Sequence, residues 1–156
     1  MYEVTLVVIK PDGYSRRKEI KKVIADRGFE ALFIKEPYRF TRKKAAQQYE
    51  AKRGASFLEE LLDMMTEGDT SLIIYGKENA IEDMANLVGF YKSAEAEPGT
   101  LRYEFGDKTS DMHNAVHRSD SRVSVLREVY LHFDAKELPA DVKRILEHYK
   151  IETKRQ

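Results

Sequence analysis

Short β-branched runs alternate with helix-period segments along this chain of 156 residues, and their order leaves few architectures open. Residues 3–9 are β-rich, apolar at consecutive positions from Leu6, and stop at the turn signal Lys10-Pro11-Asp12-Gly13, as a buried strand does. A helix is predicted next, capped by Ser15, with Ile20, Val23 and Ile24 at helical spacing and Gly28 as its stop. Phe29 to Phe40 reads as a long strand that Pro37 makes irregular. Thr41 opens a polar helix, and Ser56 with Glu59 predicts a capping box for another that carries Phe57, Leu61, Leu62 and Met65. Thr70 to Tyr75 is a third strand, and Glu78 to Val88 a helix closed by Gly89. From Phe90 to Met112 the periodicity disappears, and so long a loop in a compact domain is usually functional or disordered. A short step at Asn114-Ala115-Val116-His117, a helix over about Ser121 to Leu131 and a last one over Glu137 to Tyr149 complete the order.

That order is β-α-β-(αα)-β-α-loop-β-α. Without the inserted helices it is the βαββαβ pattern of a ferredoxin-like α+β sandwich, an antiparallel sheet with helices packed on one face. A single domain over residues 1–150 is expected, with 151–156 as a frayed tail.

Charge and cysteine content narrow the function classes. Lys and Arg together number 27, as do Asp and Glu, so no bulk field draws the chain to nucleic acid or an anionic membrane. The basic runs Arg16-Arg17-Lys18 and Arg42-Lys43-Lys44 sit at predicted helix starts and read as solvated helix faces, with nucleic-acid binding the weaker reading. No cysteine is present, which removes disulfides and thiolate metal sites. The apolar runs are too short to span a bilayer, and the N-terminus lacks the basic start and apolar stretch of a signal peptide. A cytoplasmic location is expected.

Metal chemistry finds little support. His113 and His117 are four apart, but Asn114 stands where a zincin helix carries glutamate, and no third ligand is evident. Neither of the common glycine-rich nucleotide cradles occurs. Cations and hydroxyls instead recur at the ends of elements: Lys10, Arg102, and Arg118 with Ser119 beside His117. A histidine among such groups suits a covalent phosphoryl relay, because neutral imidazole is a competent nucleophile near pH 7 and cations offset the charge of a moving phosphoryl group.

Together "TLVVIKPDG" near the N-terminus, "PGTLR" at 98–102 and "NAVHRSDS" at 114–121 resemble the nucleoside diphosphate kinase family, from about Val4 to Pro139. The resemblance implies ping-pong transfer through a phosphohistidine at His117, between nucleoside tri- and diphosphates carrying Mg²⁺. It implies that Glu128 and Ser119 hold the ring and that Tyr49 lines the phosphohistidine. By the same analogy Lys10 contacts phosphate and ribose, Asn114 the ribose, Arg102 the terminal phosphates, Phe57 the base, and Leu61 packs beside it. Phe57 and Leu61, four apart on a capped helix, are explained equally well by core packing. The family also implies a homo-oligomer, hexameric or tetrameric.

The match departs where the family's phosphate-binding arginine and threonine fall on Ala85 and Tyr91. Lys52, Arg53, Lys92 and Arg118 are the candidate replacements. This departure leaves open a non-catalytic nucleotide-binding or interaction domain of the same fold.

Overall fold

The computed structural model describes residues 1–155. Four strands form one antiparallel sheet: β1 (Tyr2–Ile9), β2 (Glu30–Tyr38), β3 (Thr70–Glu78) and β4 (Val116–Arg118), in the order β2-β3-β1-β4. That order, with two helical crossovers, is the ferredoxin-like arrangement that the segment pattern predicts. The helices are α1 (Arg17–Asp26), α2 (Arg42–Gln48), α3 (Leu58–Thr66), α4 (Ala80–Val88), α5 (Leu101–Phe105), α6 (Arg122–His132) and α7 (Ala140–Lys154). Among the described residues no helix is long and apolar enough to cross a membrane.

Helices cover both faces of the sheet, where the sequence pattern suggested one. Strand side chains alternate between faces. Val4, Leu6 and Val8 of β1, with Leu72 and Ile74 of β3, meet residues of α2, α3, α6 and α7. Val7 and Ile9, with Ile73 and Tyr75, face Ile20 and Ile24 of α1 and Met84, Leu87 and Val88 of α4. The second pair, α1 and α4, are the helices of the basic βαββαβ unit. The inserted helices and the two C-terminal ones close the other face. The uninterrupted apolar run in β1 follows from this, because a strand covered on both sides needs no polar alternation.

Several local expectations are corrected. Ser15 lies in a short 3-10 turn and caps nothing; α1 starts after Arg16, which makes no side-chain cap. Ser56 and Glu59 form no capping box, since Phe57 is the N-cap of α3 and Glu59 pairs instead with Arg42. Thr41 and Ser121 do cap, accepting from the backbone N–H of Lys44 and Ser124. Gly28 and Gly89, at φ +90° and +88°, take the left-handed turn that follows a helix. The irregularity at Pro37 is a cis Glu36–Pro37 peptide and a register shift between Lys35 and Tyr38.

The stretch 90–112 is not featureless. It holds a 3-10 turn at Ser93–Glu95 and the five-residue helix α5, capped by Thr100. Five residues are too few to show a helical period, which is why the pattern is silent there. Residues 151–154, expected to fray, continue α7, where Glu152 pairs with Arg122 and thereby with Glu3 of β1. Gln156 lies outside the described residues.

Candidate active site

His117 is the middle residue of β4, paired with Val8 of β1. Cross-strand partners share a face, so the imidazole projects to the side covered by α2, α3 and α6. There it meets three side chains. Glu128 of α6 brings Oε1 to 2.6 Å from His117 Nε2. Gln48, the last residue of α2, donates from Nε2 to the same carboxylate oxygen at 2.8 Å. Tyr49 stands edge-on to the imidazole, ring centroids 5.9 Å apart. Arg127 ties α2 to α6 by donating to the carbonyls of Gln47 and Gln48 at the end of α2.

Burial raises the Glu128 carboxyl, but the hydrogen bond and charge of His117, the Gln48 donor and nearby Arg127 together hold it below the ordinary carboxylate value. An ionised carboxylate only accepts. The proton between the two groups therefore belongs to His117 Nε2, which in the neutral imidazole places the lone pair on Nδ1.

The backbone leading to His117 is clamped from β1. The Lys10 N–H donates to Ala115 O at 2.8 Å, and Asp12 Oδ2 accepts from the Ala115 N–H at 2.9 Å. Ala115 sits at φ +71°, a conformation that costs an L residue roughly 1–2 kcal/mol and must be held by its surroundings. Gly13 completes the clamp: a Cβ there would lie 2.8 Å from Ala115 O. The Lys-Pro-Asp-Gly turn is thus both the end of β1 and the support of the segment before His117.

A cleft of about 740 Å³ opens in front of this group. It is lined by Lys10, Tyr49, Phe57, Leu61, Arg102, Asn114, His117 and Glu128, which the sequence singles out, and also by Gln48, Lys52, Tyr91, Arg118, Asp120, Ser124 and Arg127. Lys10 is 4% exposed, and its Nζ donates to Met112 O at 2.6 Å and Asn114 Oδ1 at 2.9 Å. Burial brings it down to about 7, with Asp12 opposing and Arg102 adding to the fall. Asn114 Nδ2 donates to Tyr91 O. Arg102, on α5, spends Nε and Nη2 on Val116 O and Nη1 on Gly89 O, which fixes its guanidinium beside β4. Phe57 and Leu61, equivalent in the sequence, are not so here: Leu61 is 5% exposed and part of the core, whereas Phe57 is 42% exposed at the cleft.

Ser119 makes no hydrogen bond to the imidazole. It is fully buried, its N–H bonds Leu6 O, and its Oγ has no partner among the described residues. Of the candidate replacement cations, Lys52 and Arg118 line the cleft. Arg53 pairs with Glu50, and Lys92 stands over the ring of Tyr91. Ala85, on α4, is not part of the lining. The two basic runs are occupied locally: Arg17 pairs with Glu36, Arg42 with Glu59 and Asp63, and Lys44 donates to Leu131 O. Gln48 and Arg127 carry no signal in the sequence, and Asp12 carries only its place in the Lys-Pro-Asp-Gly turn. Nothing about an amide after a polar helix announces a partner eighty residues away.

The model of the family described as nucleoside diphosphate kinase matches residues 3–138. A nucleoside diphosphate kinase of Methanocaldococcus jannaschii is 38% identical over 141 residues, covering 88% of this chain and 98% of the relative. One of Staphylothermus marinus is 37% identical over 138 residues, covering 87% and 96%. Among solved structures, the nucleoside diphosphate kinase of Aquifex aeolicus superposes with a TM-score of 0.80 at 30% identity, covering 89% of this chain and 100% of that one. That of Halobacterium salinarum, in complex with CDP, gives 0.83 at 27% identity, covering 89% and 92%.

Proposed function

The chain belongs to the nucleoside diphosphate kinase family, and from that premise we propose that His117 carries the γ-phosphoryl group from a nucleoside triphosphate to a nucleoside diphosphate. The observation that supports this most is the 2.6 Å contact of His117 Nε2 with the buried Glu128 carboxylate. It leaves Nδ1 as the only ring atom with a free lone pair.

In the first half-reaction Nδ1 attacks the γ-phosphorus. The N–P bond forms, the bond from phosphorus to the β,γ-bridging oxygen breaks, and the diphosphate leaves with that electron pair. Nε2 keeps its hydrogen throughout, so the ring gains positive character that the Glu128 carboxylate offsets. In the second, a terminal oxygen of another diphosphate attacks the same phosphorus, and the N–P electrons return to Nδ1. Lys10, Arg102, Arg118 and Lys52 supply positive charge along the cleft for the phosphates. Tyr49 packs against the imidazole, Asn114 serves the ribose, and Phe57 offers a face to the base, with Leu61 behind it.

Among the described residues no group of three or more His, Asp or Glu side chains is arranged to hold a metal ion. Of the cleft carboxylates Asp111, Asp120 and Glu128, Glu128 pairs with His117 and Asp120 with Arg118. By likeness to the family, Mg²⁺ is read as arriving with the nucleotide, where it would neutralise phosphate charge. The protein is further read as a cytoplasmic homo-oligomer, by likeness to its family. A non-catalytic nucleotide-binding domain is not favoured, because binding alone does not call for the His117–Glu128 pair.

Incubation with γ-labelled ATP and Mg²⁺ tests the reading. Acid-labile, base-stable label should appear on the protein and vanish in His117→Ala. Equal labelling of that variant would overturn the assignment.

A further inference from the structure

Behind His117 and Glu128 lies a row of buried polar side chains. The hydroxyl of Tyr38, on β2, is 2.7 Å from His132 Nδ1. His132 Nε2 is 2.7 Å from Gln48 Oε1. Gln48 Nε2 is then 2.8 Å from Glu128 Oε1 and 3.1 Å from His117 Nε2. Gln48 is 3% exposed and His132 6%. Three elements, β2, α6 and α2, contribute to a polar row that packing alone would replace with apolar groups.

The chemistry of the partners gives the row one direction. Glu128, ionised, can only accept, so the amide must turn its NH₂ toward it and its oxygen toward His132. His132 must then carry its hydrogen on Nε2, leaving Nδ1 to accept from the Tyr38 hydroxyl. Both ends agree with this. Burial first, then Lys44, lowers His132 to about 3, so it is neutral, and burial raises Tyr38, which keeps its proton. Lys35 and Lys44, the cations closest to the ring, donate to the carbonyls of His132 and Leu131.

At the other end, Gln48 Nε2 and His117 Nε2 both point at Glu128 Oε1. Two donors cannot bond to each other, so both converge on that oxygen. Were Gln48 reversed, its oxygen would oppose the carboxylate. Were His117 Nε2 bare, Gln48 could donate to it and the hydrogen would move to Nδ1, consuming the nucleophilic lone pair.

We infer that Gln48, held in one orientation by His132 and Tyr38, is a positioning residue that fixes Glu128 against His117 Nε2–H and so keeps the Nδ1 lone pair of His117 free for transfer. This rests on the reading of His117 as nucleophile, and the test separates the two.

Long-range ¹H–¹⁵N spectra of the ¹⁵N-histidine-labelled wild type should show both His117 and His132 with hydrogen on Nε2. Hydrogen on Nδ1 of His132 would overturn the inference without any variant being made. In Gln48→Leu, single-turnover phosphorylation by ATP should slow by about fivefold or more, the worth of one hydrogen bond, while ADP affinity stays within about twofold. The His117 signals should move toward mixed tautomers in the same variant. A purely structural Gln48 would lower the melting temperature yet leave tautomer and rate in place, and a slowing of less than about fivefold refutes the inference. If the wild type takes no label on His117, the nucleophile reading fails instead, whatever the spectra show.

Discussion

Lys10 is the residue whose ionisation the fold has moved furthest toward neutral pH within the cleft. Burial depresses it to about 7, with Asp12 opposing and Arg102 reinforcing the fall. A bound phosphate restores the ammonium, so its pKa rises on binding and nucleotide association takes up a proton above about pH 7. Affinity should then weaken as pH climbs past that point. Calorimetry at about pH 8 in buffers of different ionisation enthalpy checks it. Equal apparent enthalpies in all buffers would mean that Lys10 is already charged when the nucleotide arrives. The second prediction concerns the cations that stand in for the absent arginine. Arg118 has a buried Nε without a partner among the described residues, and it lines the cleft beside His117. Arg118→Ala should raise the nucleotide dissociation constant by about tenfold, and Lys52→Ala by less, because Lys52 is exposed. Arg53→Ala and Lys92→Ala should leave it within about twofold. A fourfold set of unchanged constants, by equilibrium dialysis, removes recruitment from this account. At this scale the sequence was readable only through joint motif spacing. His117, Lys10, Asn114, Arg102 and Glu128 do converge on one cleft. Gln48 was not legible, since its meaning depends on His132 arriving from another helix. The hold on the ring that the resemblance implies for Ser119 has no hydrogen bond behind it among the described residues.

Elements show where pattern reasoning holds and where it runs out. Strand β4 has three residues, and what defines it is less its own propensity than the clamp formed by Lys10, Asp12 and Gly13 on Ala115. Gly13→Ala should therefore be costly. An added methyl would lie 2.8 Å from a backbone oxygen, and relieving that overlap costs about 1–3 kcal/mol. The urea midpoint should fall accordingly, and phosphotransfer should fall further, because the displaced atoms lead directly into His117. A variant with the wild-type midpoint would show that the two turns can separate freely. The amphipathic helix α4 is evident from periodicity, and the strand β3 from its continuous apolar run. The capping box at Ser56 does not form because Phe57, not Ser56, is the N-cap of α3, and Glu59 pairs across to Arg42. Local capping rules carry no knowledge of such tertiary partners. Helix α5 was invisible for the opposite reason, being shorter than the window in which a period can be seen.

For the whole molecule, the consecutive apolar residues of β1 already signified cover on both faces, although the ferredoxin-like pattern suggested helices on one. The inserted α2 and α3 build the second face together with α6 and α7, and α2, α3 and α6 supply much of the cleft wall. Donor and acceptor must use that cleft in turn, since both need the same Nδ1 of His117. Initial rates at several diphosphate concentrations should give parallel double-reciprocal lines. Intersecting lines would require both nucleotides to be present together. The exposed ring of Phe57 adds a consequence that reaches past the protein itself. On the proposed placement a base stacks on this half-exposed ring, and because every base has a π face such a contact would tell adenine and cytosine apart poorly. An exchanger indifferent to the base in this way would link every nucleotide in its surroundings through one reversible step. Left to run, it draws the triphosphate-to-diphosphate ratio of each toward a common value, and the most abundant of them sets that value for the others.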